Sequence, residues 1–113
     1  MSLLLGLDIG TSAAKGIILD AAAPGDSRIV ATASLEYPLS TPRAGWSEQD
    51  PEDWWLAVCR IVRDLCGRAN ITGKSIAAVG LSGQMHGSVF IDAAAATSGG
   101  RSNALRPAIL WND

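Results

Sequence analysis

One amphipathic helix, opened at Asp50-Pro51, stands between a run of short strands and a single continuous apolar segment, and that order restricts the chain to a mixed sheet. Asp50 can cap the helix by accepting a backbone N–H bond, and Pro51 suits the first helical position. Glu52 and Asp53 favour the positive end of the helix dipole. Trp54, Val58, Ile61, Val62 and Leu65 recur at three- and four-residue steps to about Gly67, which gives one apolar stripe. Arg60, Arg63 and Asp64 are left to face water. Ile76 to Leu81 is nearly all apolar, as expected of a parallel strand reached by a helical crossover and covered on both faces.

Ahead of the helix, Leu3 to Ile9 and Lys15 to Asp20 read as strands joined by the polar turn Gly10-Thr11-Ser12. Pro24-Gly25 marks a second turn, and Arg28 to Tyr37 supplies a third strand. The expected class is α/β, with three antiparallel strands, then a helix, then a parallel strand. Pro38 to Gln49 reads as an irregular connection and Ser88 to Asp92 as another short strand. Ala93 to Asn103 is a low-complexity stretch of Ala, Ser and Gly suited to a mobile loop. Pro107 to Trp111 is the last apolar run. An apolar edge there calls for further elements to cover it, so residues 1–113 are expected to be the N-terminal portion of a longer domain.

Composition removes several classes of function. With 48% of residues hydrophobic and 18% charged, the chain can bury a core and does not resemble a disordered segment. A net charge of -2 without any Lys/Arg cluster leaves no electrostatic footprint for nucleic acid or an anionic membrane. The run Leu3-Leu4-Leu5 is broken by Gly6 and Asp8, too short for a signal peptide or a membrane span, so the cytoplasm is the expected compartment. Cys59 and Cys66 lie about 10 Å apart along one helix at ~1.5 Å per residue, beyond the ~7 Å reach of a disulfide. They read as small buried hydrophobes in a reducing compartment.

Two segments carry chemistry. In Asp8-Ile9-Gly10-Thr11-Ser12-Ala13-Ala14-Lys15, the period of a strand puts Leu5, Leu7 and Ile9 on one face and Gly6, Asp8 and Gly10 on the other. Gly10 lets a phosphate approach the backbone, Thr11 and Ser12 offer hydroxyl and N–H donors, and Lys15 supplies a cation. Asp8 suits a hydrated Mg²⁺, which on nucleotide phosphates needs only one or two carboxylates. An ordinary Gly-Thr-Ser hairpin beside an exposed Asp is the alternative. The spacing matches neither a Walker A loop nor a dinucleotide-binding fingerprint.

The second segment, Gly80-Leu81-Ser82-Gly83-Gln84-Met85-His86-Gly87, lies where the apolar strand ends. Ligands of open α/β sheets bind beyond the carboxyl ends of strands, and Ser82, Gln84 and His86 would give a polyol hydrogen-bond partners there. A solvated turn His86 and a core-filling Met85 are the alternatives. Trp46-Ser47-Glu48-Gln49-Asp50-Pro51 reads as the lead-in to the capped helix, and Trp54-Trp55 as packing. Leu110-Trp111-Asn112-Asp113 could offer a sugar an aromatic face or be only a strand end.

Taken together, LGLDIGTSAAKGIILD, WSEQDPEDWW, GLSGQMHG and LRPAILWND resemble the FGGY carbohydrate kinases in the family's order, and GQMHG resembles the family's xylulose-specific branch. The resemblance implies the actin-like, ribonuclease H-like ATPase fold. It implies ATP and Mg²⁺ as cofactors, with Asp8 at the metal and phosphates and Gly10, Thr11, Ser12 and Lys15 lining the loop. Gln84, Met85 and His86 would then meet the ketose, with Trp111 and Asp113 beside it. D-xylulose is the implied substrate, phosphorylated to D-xylulose 5-phosphate, and a homodimer is one arrangement open to the complete protein. Family members are several times longer and carry the adenosine site and the Asp general base in later segments, so residues 1–113 alone are expected to show negligible turnover. Another sugar or polyol kinase of the family, or a non-catalytic actin-like nucleotide-binding module, are the competing expectations. The Ala93 to Asn103 stretch is longer than the hairpin usual in such kinases and is expected to be a surface insertion.

Overall fold

The computed structural model describes residues 2–92 and 104–112. Strands β1 (Leu3–Ile9) and β2 (Ala13–Asp20) form an antiparallel hairpin in the register Leu3↔Asp20 to Ile9↔Ala14. Strand β3 (Ile29–Glu36) pairs antiparallel with β2, after a short 3₁₀ turn over Gly25–Arg28. Two residues, Glu48–Gln49, make β4, and helix α1 spans Pro51–Ala69. Strand β5 (Ile76–Gly83) then runs parallel to β1, and β6 (Ala108–Ile109) pairs antiparallel with β4. The main sheet has the order β3-β2-β1-β5, the mixed arrangement that three local antiparallel strands and one helical crossover dictate.

Alternation along β1 and β2 decides where the core lies. Leu3, Leu5 and Leu7, together with Ala14 and Ile18, face the helix, which answers with Ala57, Ile61 and Leu65. Each fully buried Leu or Ile contributes roughly 1.5–3 kcal/mol relative to exposure. Gly16 is the point of closest approach between sheet and helix. A Cβ there would lie 2.5 Å from Ile61 Cγ2 and 3.0 Å from Leu65 Cδ1, so the absence of a side chain is what lets α1 settle onto β2.

The helix begins as its sequence dictates, with the Asp50 carboxylate accepting the Glu52 N–H at 2.9 Å and Pro51 in the first turn. It ends two residues beyond the expected Gly67. Asn70 adopts the left-handed conformation (φ 55, ψ 47) that closes the last turn, a geometry Asn tolerates. Cys59 and Cys66 are free thiols, half-buried rather than buried, because they fall at the margins of the apolar stripe.

Three further expectations are corrected. Strand β5 is not covered on both faces: α1 packs on β2 and β3, and Val79 and Leu81 of β5 are 54% and 74% exposed. Ser88 to Asp92 is not a strand and makes only isolated bridges, Ser88 with Ile109 and Ile91 with Ala104. The Pro38 to Gln49 connection is more ordered than expected, since Ser40, β4, β6 and Ser88 pair in that order as a small second layer. Arg106 donates to the carboxylate of Glu48, which β4 otherwise buries, and the ion pair ties this layer together. The Ala93 to Asn103 stretch lies outside the described residues.

Candidate functional site

Strand register assembles the first half of the site. Lys15 lies opposite Ser34 on one side and Asp8 on the other, and Asp8 lies opposite Ser82. Directly opposed residues share a face, so Ser34, Lys15, Asp8 and Ser82 form one polar row across all four strands, away from the helix. In the next row, Gly6 and Gly80 bring no side chains. A depression of about 760 Å³ results, lined by Gly6, Asp8, Lys15, Gly80 and Ser82 among others. Much of it is uncovered sheet, and only its Asp8–Lys15 end carries charge.

The Gly10-Thr11-Ser12 turn at the end of this row is held from behind. Gly10 N donates to Ala13 O at 3.0 Å and closes the hairpin, while a Cβ on Gly10 would sit 3.1 Å from that same oxygen. The Tyr37 hydroxyl donates to Gly10 O, Gln49 Nε2 donates to Thr11 O, and Tyr37 N donates to Ser12 O at 3.2 Å. All three turn carbonyls are drawn towards protein donors. The outer surface of the turn therefore does not present those oxygens to an incoming anion, a requirement for a backbone phosphate cradle.

Burial raises the Tyr37 phenol above its usual pKa of 10.0, and the negative charge of Asp8 adds to the shift. The folded phenol thus keeps its proton where the unfolded one has lost it. Stability is full below pH 10.0 and falls as pH rises above it. Tyr37→Phe is expected to flatten that alkaline decline in unfolding midpoints measured on both sides of pH 10.0. At neutral pH the same change costs about 1 kcal/mol through the lost bond to Gly10.

The second half forms where β5 ends. A Cβ on Gly83 would come 2.9 Å from Ile9 O, and the next residue, Gln84, donates its N–H to that oxygen at 2.9 Å. The chain then turns through His86 in the left-handed conformation, φ 62, a backbone state uncommon for a residue with a side chain. A cavity of about 280 Å³ opens here, lined by Trp54, Ser82, Gln84 and His86 with Ile9 and Val89.

Hydrogen bonds join the two halves. Thr11 Oγ1 donates to Gln84 Oε1 at 3.2 Å and accepts from Trp111 Nε1 at 3.0 Å. Gln84 Nε2 donates to Gln49 Oε1 at 3.0 Å and reaches Gly10 O at 3.4 Å. Of the residues singled out from sequence, Asp8, Gly10, Thr11, Ser12 and Lys15 lie on one hairpin, and Gln84, His86 and Trp111 lie at its tip. Met85 is 71% exposed and is not among the residues that line the cavity. Asp113 lies outside the described residues. Sequence reading missed Gln49, Tyr37 and Trp54. For Gln49 a signal was present in the polar run Ser47-Glu48-Gln49 before a helix, but its burial depends on pairing with β6, far along the chain.

Comparison with known proteins fits this arrangement. The model of the FGGY family of carbohydrate kinases, N-terminal domain, matches residues 3–113. A xylulose kinase of Lactococcus lactis is 37% identical over 113 residues, covering 100% of this chain and 20% of that protein. A glycerol kinase of Bradyrhizobium diazoefficiens is 34% identical over 100% of this chain and 21% of its own length. Among solved structures, a xyloylose kinase from Brucella ovis superposes with a TM-score of 0.82 at 40% identity, covering 98% of this chain and 21% of that one. A gluconate kinase from Lactobacillus acidophilus does so with 0.76 at 33% identity, over 99% and 20%. This chain therefore spans about a fifth of the length of the relatives it matches. Its mixed sheet with one packed helix is the N-terminal part of the actin-like ATPase fold of the xylulose kinases. With a family model matching residues 3–113 and relatives 37% and 34% identical over all of it, the chain belongs to the FGGY family of carbohydrate kinases.

Proposed function

We propose that the complete protein, of which residues 1–113 form the N-terminal part, transfers the γ-phosphoryl group of ATP to a sugar hydroxyl, with D-xylulose as the substrate and its 5-hydroxyl as the acceptor. The observation that carries this reading is the 3.2 Å hydrogen bond from Thr11 Oγ1 to Gln84 Oε1, which puts an anion-type turn against a polar strand-end cavity. Phosphoryl transfer needs that adjacency, because it depends on holding donor and acceptor in line more than on covalent chemistry.

The residues suit MgATP. Asp8 is an exposed hard-oxygen donor beside a turn whose carbonyls are drawn inward, and Lys15 stands opposite it. Among the described residues no group of three or more His, Cys, Asp or Glu gathers to hold a metal, which suits an ion carried mainly by phosphate oxygens. When bound, Mg²⁺ would neutralise and orient the phosphates of ATP. Asp8 would hold the ion, Lys15 would offset developing negative charge, and Gly10 to Ser12 would cradle the phosphates. Gln84 and His86 would bind the sugar hydroxyls, with Trp54 and Trp111 as apolar neighbours. The base that accepts the hydroxyl proton would come from a carboxylate outside residues 1–113. Among the described residues no helix is long and apolar enough to cross a membrane, and a cytoplasmic site of action is the reading we favour.

Likeness to glycerol and gluconate kinases supports a second reading, in which the same site serves another sugar or polyol. Calorimetric titration of the complete protein tests the class. Heat on adding MgATP and again on adding a pentulose is expected. A response to MgATP without any response to pentuloses, hexuloses, gluconate or glycerol would favour a nucleotide-binding module that is not a kinase.

A further inference from the structure

We infer that Gln49 is a positioning residue that couples nucleotide binding at the Thr11 turn to sugar binding at Gln84. Gln49 is 2% exposed; its amide oxygen accepts from Trp54 and Gln84, and its amide nitrogen donates to Thr11. Its orientation is fixed by chemistry. The Trp54 indole is a donor only, so the atom 3.0 Å from it must be Gln49 Oε1, and Nε2 is then turned to the Thr11 carbonyl. The same argument fixes Thr11. Trp111 Nε1 donates to Thr11 Oγ1 at 3.0 Å, so the hydroxyl proton is available for Gln84 Oε1. Gln84 Nε2 returns the third bond to Gln49 Oε1 at 3.0 Å.

The three bonds close a ring. Gln49 donates to Thr11, Thr11 donates to Gln84, and Gln84 donates to Gln49, with an indole at two corners setting the direction. These partly buried hydrogen bonds are costly to break singly, because each lost partner leaves a polar group unpaired beside the buried Gln49 amide. A displacement of the Thr11 turn by a phosphate is therefore passed to Gln84, and a displacement of Gln84 by a sugar is passed back. Gln49 touches neither ligand in this arrangement. It sits at the end of β4 directly before Asp50, so α1 and the second layer anchor it while the turn and the strand end move against it.

This inference rests on the sugar-kinase reading. Coupling is measured as the ratio of MgADP affinities of the complete protein with and without saturating D-xylulose. A ratio of roughly fivefold or more is expected for the unaltered protein, within the usual range of coupling between sites. Gln49→Met keeps the volume but removes the amide, and Gln49→Glu keeps the shape and loses the donation to Thr11. Both are expected to bring the ratio towards one while each ligand alone still binds with full stoichiometry. A purely structural role would instead lower the fraction of active protein and leave the ratio intact. An unchanged ratio in either variant overturns the inference, as does a ratio of one in the unaltered protein. An unaltered protein that binds MgADP but no sugar contradicts the kinase reading itself, and the coupling with it.

Discussion

Asp8→Asn in the complete protein is expected to lower kcat about 10²- to 10³-fold, the range for removing one preorganised electrostatic partner of a transition state. The substitution changes charge and almost nothing else. Asp8 is exposed at the end of β1, and the strand register that places it opposite Lys15 and Ser82 is set by backbone bonds, so the fold does not depend on its carboxylate. Surface substitutions of this kind normally shift stability by no more than about 0.5 kcal/mol. Steady-state kinetics at saturating sugar, with Mg²⁺ varied, reads the effect. A loss that excess Mg²⁺ partly restores agrees with a metal-holding role, and wild-type kcat in a correctly folded variant would remove Asp8 from the site.

Gly16→Val is expected to be the most damaging single change to the fold. The new Cβ would lie 2.5 Å from Ile61 Cγ2, the methyl held directly on the β-branch of a residue only 2% exposed, so neither partner has room to move. Either α1 lifts from β2 or the Leu7, Ile61 and Leu65 packing is broken. Overpacking of this kind costs typically 1–3 kcal/mol and sometimes more, and we expect about 3 kcal/mol for Val and about half that for Ala. A domain has only about 5–15 kcal/mol in total. Gly67→Ala is the matched control: on the exposed side of α1 a Cβ would meet nothing within 4 Å, and the change is expected to stabilise by about 0.5–1 kcal/mol. Denaturant midpoints of the two variants should move in opposite directions. Equal midpoints would mean that the helix does not rest on Gly16.

What the sequence discloses here is what local rules govern. The Leu3 to Ile9 strand, the three-residue turn and the helix start at Asp50-Pro51 all emerge from alternation, turn chemistry and capping, which act over a few residues. The pairing of β4 with β6 joins Glu48 to Ile109 through strands of only two residues, too short to show any period. For the same reason the polar run Ser47-Glu48-Gln49 reads only as a lead-in to the capped helix, whereas the fold buries all three residues. Strand β5 misled in the opposite way, because a continuous apolar run reports that a strand is meant to be covered without saying by which part of the chain.

The site divides along the same line. Asp8 and Lys15 are legible as one face because strand period and hairpin register are local, and Gln84 and His86 because polar residues follow an apolar strand. That Thr11 touches Gln84 and Trp111 is a property of the parallel pairing of β1 with β5 and of the second layer, contacts that span most of the chain. Met85 stands between two residues that line the cavity and is itself 71% exposed, a difference that the motif does not show.

The most direct test is the rate of ADP release by the complete protein with MgATP and, in turn, D-xylulose, L-ribulose, gluconate and glycerol. Sugar-dependent release with the highest kcat/KM for D-xylulose is the predicted result. Release with none of the four, from protein that still binds MgATP, would contradict the assignment of the Thr11–Gln84 junction as a phosphoryl-transfer site.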